Sequence, residues 1–214
     1  MIWMRGIALV IGYVFGLFQT GFLVGKTQGV DIREHGSGNS GTTNTLRVLG
    51  QKAGVITFIG DTAKSILAIL VVRWIFKDQF QGDIAILGLY GGLGAVLGHN
   101  YPFYMNFKGG KGIACTAGLI LAICPLSAPL CMVGFALPII LTKYVSLGSI
   151  IMSILFMAQT VLYNHLGWLG VAGEAGIEFD ILVLILGLLA IYRHKTNIVR
   201  LINGTENKIG QKAK

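Results

Sequence analysis

The residues best suited to chemistry lie in a glycine-rich loop over 33–47, which reads Arg-Glu-His-Gly-Ser-Gly-Asn-Ser-Gly-Thr-Thr-Asn-Thr-Leu-Arg. Glycine alternates with short hydrogen-bonding side chains, so the backbone can turn its N–H groups toward an anion. A helix that starts at the end of this loop would add positive potential. The pattern favours a phosphate-binding loop over a flexible polar one. Its candidate ligands are Ser37, Gly38, Asn39, Gly41, Thr43, Asn44 and Arg47.

A second loop, 98–112, holds two lysines among three glycines in Lys108-Gly109-Gly110-Lys111-Gly112. It is not a nucleotide-binding P-loop, because that motif requires Ser or Thr where Gly112 stands. The segment 21–27 also fails, with three residues between its glycines where four are needed. A membrane anchor would explain the lysines but not the glycines. We therefore expect Lys108, Gly109, Gly110 and Lys111 to bind an anion.

A third stretch, 193–206, is also basic and polar. His194 and Asn197 are three residues apart, so on a helix they share a face. The alternative is a solvated basic tail. Ser146 opens a later apolar segment, where it either contacts a ligand or caps the helix.

The composition explains where these residues must be held. Of 214 residues, 54% are hydrophobic and 12% charged, with a net charge of +8. Soluble domains carry about 25% charged residues and need polar side chains to cover their surface. The apolar content is also too high for a disordered chain. The surface must therefore face lipid.

Apolar segments long enough to cross a bilayer predict an all-α, polytopic integral membrane protein with about seven transmembrane helices. A cleaved signal peptide is not expected, because no Ala-x-Ala site follows the first segment. Pro125 and Pro129 are expected to divide the longest segment into two short helices. The predicted spans are 6–25, 53–76, 84–107, 112–142 (two helices), 144–165 and 177–192.

The distribution of Lys and Arg sets the orientation. Thirteen of the 17 bases fall on one side of this topology and three on the other. The prediction is an N-terminus outside, a C-terminus in the cytoplasm and all three polar stretches on the cytoplasmic face. We expect one domain over 1–214, with Asp61 and Lys64 paired inside the bundle because lone intramembrane charges are costly.

Other site chemistries have no support in the sequence. Cys115, Cys124 and Cys131 lie in or beside apolar segments without metal-ligand spacing, and we expect them to be buried as small apolar residues. No metal, cofactor or nucleic-acid partner is expected.

These stretches together resemble the bacterial acyl-phosphate:glycerol-3-phosphate acyltransferase family, PlsY. The resemblance covers nearly the full chain. One departure is Cys115-Thr116, where members often carry Ala-Thr. The matching residues are Ser37-Gly38-Asn39-x-Gly41-x-Thr43-Asn44-x-x-Arg47, Gly98-His99-x-x-Pro102, Phe107-Lys108-Gly109-Gly110-Lys111-Gly112, Ser146 and Arg193-His194-x-x-Asn197-Ile198-x-Arg200-Leu201.

The resemblance implies a multi-pass enzyme of the bacterial inner membrane with its active site on the cytoplasmic side. It would transfer an acyl group from acyl phosphate to the 1-hydroxyl of glycerol 3-phosphate, giving lysophosphatidic acid and phosphate. It would be surrounded by membrane lipid. The oligomeric state stays open, with a monomer as the working expectation. The residues expected to be catalytic are Ser37, Arg47, Lys108 and His194.

The roles follow as hypotheses. Arg47, Lys108 and loop 37–44 would hold the phosphates of donor and acceptor. His194 with Asn197 would bind the glycerol phosphate and orient its hydroxyl. Ser37 and Ser146 would hydrogen-bond near the reacting carbonyl.

None of the four histidines has Asp five residues later, so the His-x4-Asp dyad of other glycerolipid acyltransferases is absent. No buried acid is expected among the cytoplasmic Asp31, Glu34 and Glu206, so the donor's phosphate would accept the proton. A covalent acyl-Ser37 is the competing mechanism. A transporter for a phosphorylated metabolite and a structural membrane protein are the competing functions.

Overall fold

The computed structural model describes residues 2–80 and 83–210, and these residues form ten α-helices with no strand. Single 3-10 turns lie at Ile32–Glu34, Phe103–Met105 and Pro125–Ser127. The helices are α1 (Ile2–Gly16), α2 (Thr20–Thr27), α3 (Thr42–Leu49), α4 (Gln51–Phe76), α5 (Ile84–Asn100), α6 (Ile113–Ile123), α7 (Ala128–Thr142), α8 (Val145–His165), α9 (Gly173–Arg193) and α10 (Lys195–Ile202).

Five helical segments of the described chain are long and apolar enough to cross a membrane. Large apolar side chains project outward from them, such as Val10, Trp74 and Leu141, which are 61%, 71% and 73% exposed. Soluble monomers rarely expose so much apolar surface, so these faces fit lipid contact. The protein is all-helical and multi-pass, as predicted. The five segments are Ile2–Thr27, Gln51–Phe76, Pro125–Thr142, Val145–His165 and Gly173–Arg193.

The longest predicted segment, 112–142, forms two short helices as expected. The apolar helix α6 has only 11 residues, and α7 begins after a turn that starts at Pro125. Proline lacks the N–H that would continue the helical hydrogen bonds, so the chain reverses there. Cys115, Cys124 and Cys131 are buried, also as predicted.

Three predicted boundaries are wrong. The first span is interrupted between α1 and α2, where the carbonyls of Gly16 and Phe18 accept hydrogen bonds from the buried Lys64 instead of continuing a helix. The third ends at Asn100 rather than at 107, because Pro102 disfavours helix at the residue before it. The last begins at Gly173 rather than at 177.

Helices α1 and α5 pack backbone against backbone. A Cβ at Gly12 would lie 1.9 Å from the Gly91 carbonyl oxygen, and a Cβ at Gly98 would lie 2.2 Å from that of Tyr13. Only glycine permits this approach, which is typical of helix pairs in membranes. The packing brings the last turn of α5 beside the break between α1 and α2.

The two ends of the bundle differ in their chemistry. At one end, where α1 and α9 begin, Glu178 accepts hydrogen bonds from Arg5 at 2.5 Å and from the Tyr90 hydroxyl at 2.9 Å. The three polar stretches of the sequence meet at the opposite end, where α5 and α9 stop and α6 and α8 start. The fold therefore separates this ion pair from the candidate site.

Candidate active site

A cavity of about 250 Å³ lies among the three polar stretches. A second recess beside it is lined by Gly38, Arg193 and Lys195 and shares several residues with the first. The structure thus brings together stretches that are more than 150 residues apart in the chain. The polar residues of the main cavity are Ser37, Asn39, Thr42, Thr43, Asn44, Arg47, His99, Lys111, Ser146, Ser149, His194, Asn197, Arg200, Glu206 and Asn207.

Asn44 gives the first loop its shape. Its Oδ1 accepts a hydrogen bond from the Ser37 amide at 2.8 Å, and its Nδ2 donates to the carbonyls of Ile32 and His35 at 2.9 and 3.0 Å. Gly36 has φ of +61°, a region that glycine adopts without strain. Asn44 is only 2% exposed and fully used inside the loop. Asn44 also lines the cavity, so it shapes the loop while the ligand role expected of it stays a prediction.

Arg47 and Ser37 remain available to a ligand. The Arg47 guanidinium lines the cavity and makes no hydrogen bond with any described residue. Partial burial lowers the pKa of Arg47, with Glu206 opposing this effect and Arg200 adding to it. The exposed Ser37 hydroxyl also has no partner within residues 2–80 and 83–210. Gly41 and Thr43 line the cavity as well, and the ligand role expected of them stays a prediction.

The second loop is held by its neighbours rather than open to a ligand. The amides of Gly109 and Gly110 donate to the carbonyls of Asn100 and His99 at 3.1 and 3.0 Å. Their own carbonyls accept from Arg193 at 3.2 and 2.7 Å, and Asn39 Nδ2 donates to the Gly109 carbonyl at 3.3 Å. These glycines therefore join the three stretches, and they line neither cavity.

The two lysines of this loop lie in different surroundings. Lys108 is exposed and lines neither cavity, in contrast to its predicted place among the phosphate ligands. Lys111 lines both and donates to Asn197 Oδ1. Burial lowers the pKa of Lys111 to about 8, with Glu206 opposing and the neighbouring Arg200 reinforcing this shift. Lys111 is therefore the cation of this loop that reaches the site.

The third stretch is organised around Glu206. Asn197 Nδ2 and Arg200 Nε donate to its two carboxylate oxygens, each at 2.9 Å. Glu206 is 9% exposed, so the expectation of no buried acid among the cytoplasmic carboxylates is wrong. Gly204, with φ of +68°, turns the chain back after α10 and returns Glu206 to that helix. The glycine was a usable sequence signal for this reversal.

His194 presents an acceptor to the cavity. Its Nδ1 lies 2.8 Å from the Ala190 carbonyl, which can only accept, so Nδ1 carries the proton and Nε2 a lone pair. Burial lowers the pKa of His194 to about 4, and the positive charge of Lys111 adds to this effect. The imidazole is therefore neutral near pH 7, and its Nε2 can accept a hydrogen bond from a hydroxyl group.

Two buried hydroxyls point to a ligand. The Oγ of Ser146 and the Oγ1 of Thr42 line the cavity, and neither has a hydrogen-bond partner among the described residues. Buried polar groups are nearly always hydrogen-bonded, so an unpartnered pair beside a cavity indicates ligand contacts. The N-cap of α8 is Tyr144, not Ser146, which removes the alternative of a helix cap.

The remaining wall of the cavity is apolar. Apolar side chains from α3, α4, α6, α7 and α8 form this wall, and the cationic groups of the three polar stretches complete the cavity. The cavity therefore has cationic groups and hydroxyls on one side and apolar side chains on the other. The apolar lining comprises Leu46, Phe58, Ile113, Ala114, Phe135, Ile139 and Val145, with Ile209 from the segment after α10.

Metal-binding clusters of three or more His, Cys, Asp or Glu do not occur in the part of the chain that the structure describes. Basic side chains and hydroxyls make up the site instead. Fold and cavity together define a multi-pass helical membrane protein with a cationic, lipid-adjoining site.

The family model described as glycerol-3-phosphate acyltransferase matches residues 6–204, so the chain belongs to that family. It is 43% identical over 210 residues to the glycerol-3-phosphate acyltransferase of Alkaliphilus metalliredigens (strain QYMF), covering 96% of each chain. It is 41% identical over 211 residues to that of Clostridioides difficile (strain 630), again covering 96% of each. The resemblance inferred from the motifs is thereby confirmed.

The fold also matches solved structures of PlsY, described as an integral membrane glycerol 3-phosphate acyltransferase. The glycerol 3-phosphate form superposes with a TM-score of 0.80 at 32% identity, covering 96% of both chains. The lysophosphatidic acid form gives a TM-score of 0.78 at 32% identity, covering 96% of this chain and 95% of that one.

Proposed function

We propose that the protein transfers a fatty acyl group from acyl phosphate to the 1-hydroxyl of glycerol 3-phosphate, giving lysophosphatidic acid and phosphate. The observation that carries this proposal is the cavity that joins a cationic side to an apolar wall. Both substrates and the leaving group are phosphates, and the donor also has a hydrocarbon chain. The relatives' names supply the acceptor, and the resemblance to the family supplies the donor.

The cationic residues hold the two phosphates. Arg47 has free donors toward the cavity, and its forked guanidinium suits a phosphate. Lys111 takes the part that the sequence suggested for Lys108, because Lys111 is the lysine on the cavity. Asn197, fixed between Lys111 and Glu206, lies beside them. Preorganised charges of this kind stabilise the phosphate as it leaves.

The transfer itself is direct. His194 Nε2 accepts a hydrogen bond from the 1-hydroxyl and orients its oxygen toward the acyl carbon. The new carbon–oxygen bond forms as the bond between acyl carbon and phosphate oxygen breaks, and the departing phosphate takes the hydroxyl proton. Ser146 and Ser37 hydrogen-bond near the carbonyl. An acyl phosphate is already activated, so positioning and charge supply most of the acceleration.

The site belongs to a single domain over 1–214 of a monomer in the bacterial inner membrane. We propose seven spans, with α5 and α6 as the two beyond the five long apolar segments. The N-terminus is outside, and the site and C-terminus are cytoplasmic. The bias of Lys and Arg toward the end of the bundle that holds the site supports this orientation. Lys212 and Lys214, counted in that bias, lie outside the described residues.

The reaction is tested with purified protein, palmitoyl phosphate and radiolabelled glycerol 3-phosphate. The expected products are lysophosphatidic acid and one equivalent of phosphate, with no product when palmitoyl-CoA replaces palmitoyl phosphate. Arg47→Met should lower kcat/KM more than about tenfold, since contacts to developing charge are worth several kcal/mol. Lys52→Met, which removes an exposed base outside the cavity, is the matched control.

Two outcomes would overturn the proposal. Absence of lysophosphatidic acid at saturating substrates would reject the transferase reaction and favour transport, which uptake of labelled glycerol 3-phosphate into proteoliposomes would detect. An acyl group trapped on Ser37 with palmitoyl phosphate alone would reject direct transfer.

A further inference from the structure

A charged pair inside the bundle contacts the site through a histidine. Asp61 and Lys64 are 1% and 4% exposed, and their Oδ1 and Nζ atoms are 2.8 Å apart, which confirms the predicted pair. Lys64 Nζ also lies 2.9 Å from His99 Nδ1 and 2.6 Å from the Phe18 carbonyl. Such buried charges are costly in a membrane, so their retention calls for a purpose.

The contact with Lys64 determines where His99 carries its proton. An ammonium group can only donate, so Nδ1 accepts from it and the proton of the neutral ring must sit on Nε2. Asp61 does not reverse this assignment, because its Oδ1 is 3.6 Å from Nδ1, too far for a good hydrogen bond. Asp61 Oδ1 instead accepts hydrogen bonds from the Lys64 ammonium and from the Thr20 hydroxyl, the latter at 3.1 Å.

The protonated edge of His99 lies at the cavity. His99 is one of the cavity-lining residues, together with Lys111 and Gly112. A Cβ at Gly110 would lie 1.9 Å from His99 Nε2, so the ring edge packs directly beneath the second loop. Within the described chain, Nε2 has no hydrogen-bond partner. The N–H is therefore available to a ligand.

We propose that Asp61 and Lys64 fix His99 as a neutral ring whose Nε2–H donates to a substrate phosphate oxygen in the cavity. The proposal rests on the proposed function, which puts phosphates there. A neutral donor adds a hydrogen bond without adding charge to a site that already holds Arg47, Lys111 and Arg200. Asp61 and Lys64 are positioning residues, since they act through His99.

The tautomer is tested by NMR of protein with ¹⁵N- and ¹³C-labelled histidine, assigned with His99→Gln. At pH 7 the His99 signals should show an unprotonated Nδ1 and a protonated Nε2, and glycerol 3-phosphate should shift the Nε2 signal. In Lys64→Met the single tautomer should give way to a mixture. A proton on Nδ1, or an imidazolium, would overturn the proposal whether or not the protein is a transferase.

Kinetics test the contact with substrate. His99→Asn cannot reach the Nε2 position and should raise KM for at least one phosphate substrate about tenfold, with kcat changed less than about threefold. His99→Gln places an amide N–H there and should return KM to within about threefold of wild type. Lys64→Met should raise the same KM, but by less than His99→Asn does, because part of the tautomer mixture still carries the proton on Nε2. His165→Asn, at the far end of the bundle, is the control.

The outcomes separate the two proposals. Equal losses in His99→Asn and His99→Gln, or losses in kcat alone, would overturn the donor role. If wild-type protein forms no lysophosphatidic acid, the transferase proposal fails. The shift of the Nε2 signal on adding glycerol 3-phosphate still decides the role of His99, since binding does not require turnover.

Discussion

Two histidines at the same cavity differ in the neighbour of their Nδ1 atom. In His99 this atom accepts from the Lys64 ammonium, whereas in His194 it donates to the Ala190 carbonyl. Their Nε2 atoms consequently have opposite character, a donor on His99 and an acceptor on His194. In a neutral histidine, the hydrogen-bond partner of one ring nitrogen therefore determines whether the other nitrogen donates or accepts.

The two arrangements also differ in how many residues maintain them. The partner of His194 is a backbone carbonyl four residues earlier in the same helix, which no side-chain substitution removes. The partner of His99 is a lysine on α4, itself held by Asp61 and by the interrupted backbone after α1. Substitutions at several positions would therefore remove the donor role of His99.

The largest effect is expected from removing the acceptor. His194→Ala should lower kcat by about 10²-fold, the cost of a misplaced reacting group, because the 1-hydroxyl loses the acceptor that orients it, while KM for acyl phosphate changes little. Steady-state assays with each substrate varied in turn measure this. His165→Ala is the control, because His165 pairs with Asp180 at the other end of the bundle. A loss confined to KM would show that His194, like His99, acts in substrate binding and not in turnover.

The second effect concerns the cation beside His194. Lys111→Met should lower kcat/KM more than about tenfold, because a charge-assisted contact to phosphate is lost. Lys108→Met should cost clearly less, since Lys108 is exposed and lines neither cavity. The same assay on both variants decides between them. A larger loss in Lys108→Met would restore the assignment made from sequence.

This pair of lysines shows where sequence reasoning reached its limit. The glycines around them predicted a phosphate cradle, whereas in the structure the amides of Gly109 and Gly110 donate to carbonyls of the same loop. Just before Lys108, Asn106 and Phe107 adopt φ of 52° and 58° although neither is glycine. Asparagine has some preference for this region, but for phenylalanine it is a rare conformation that the sequence does not signal. Which lysine enters the cavity is therefore a property of the folded loop.

Other features followed from the sequence to different degrees. Apolar length predicted the helical membrane fold, and Pro125 predicted the division between α6 and α7. The contact of Lys64 with His99 was not predictable, because it depends on how α4 packs against α5 and on the break after α1, whose carbonyls hold the Lys64 ammonium. The missing signal is the relative rotation of these helices, which hydropathy and charge do not encode.

The third effect is a pH dependence that separates the titrating groups. With a pKa of about 8, Lys111 loses its charge as the pH rises through this value, so kcat/KM should fall above pH 8. His194, with a pKa of about 4, stays neutral down to that pH. Its protonation should therefore cause no loss of kcat near pH 6.5, where an ordinary histidine titrates.

The variant Lys111→Arg assigns the basic limb. Arginine keeps its charge throughout this range, so the fall in kcat/KM should move to higher pH. Profiles of kcat and kcat/KM from pH 5 to about 10 measure both limbs. An unchanged basic limb would show that a group other than Lys111 titrates there.

The smallest effect should come from a contact that supports His99 from behind. Ser40 Oγ donates to Gln19 Oε1 at 3.0 Å, and Gln19 Nε2 donates to the His99 carbonyl at 3.1 Å. Ser40→Ala removes one buried hydrogen bond, worth about 1 kcal/mol, which for a chain of this size lowers Tm by about 2–4 °C. Thermal unfolding in detergent measures the shift. Activity should change less than about threefold, because the Gln19 amide still holds the His99 backbone and Lys64 still sets its ring. A loss of activity as large as that of His99→Asn would show that the first loop, and not Lys64 alone, positions this histidine.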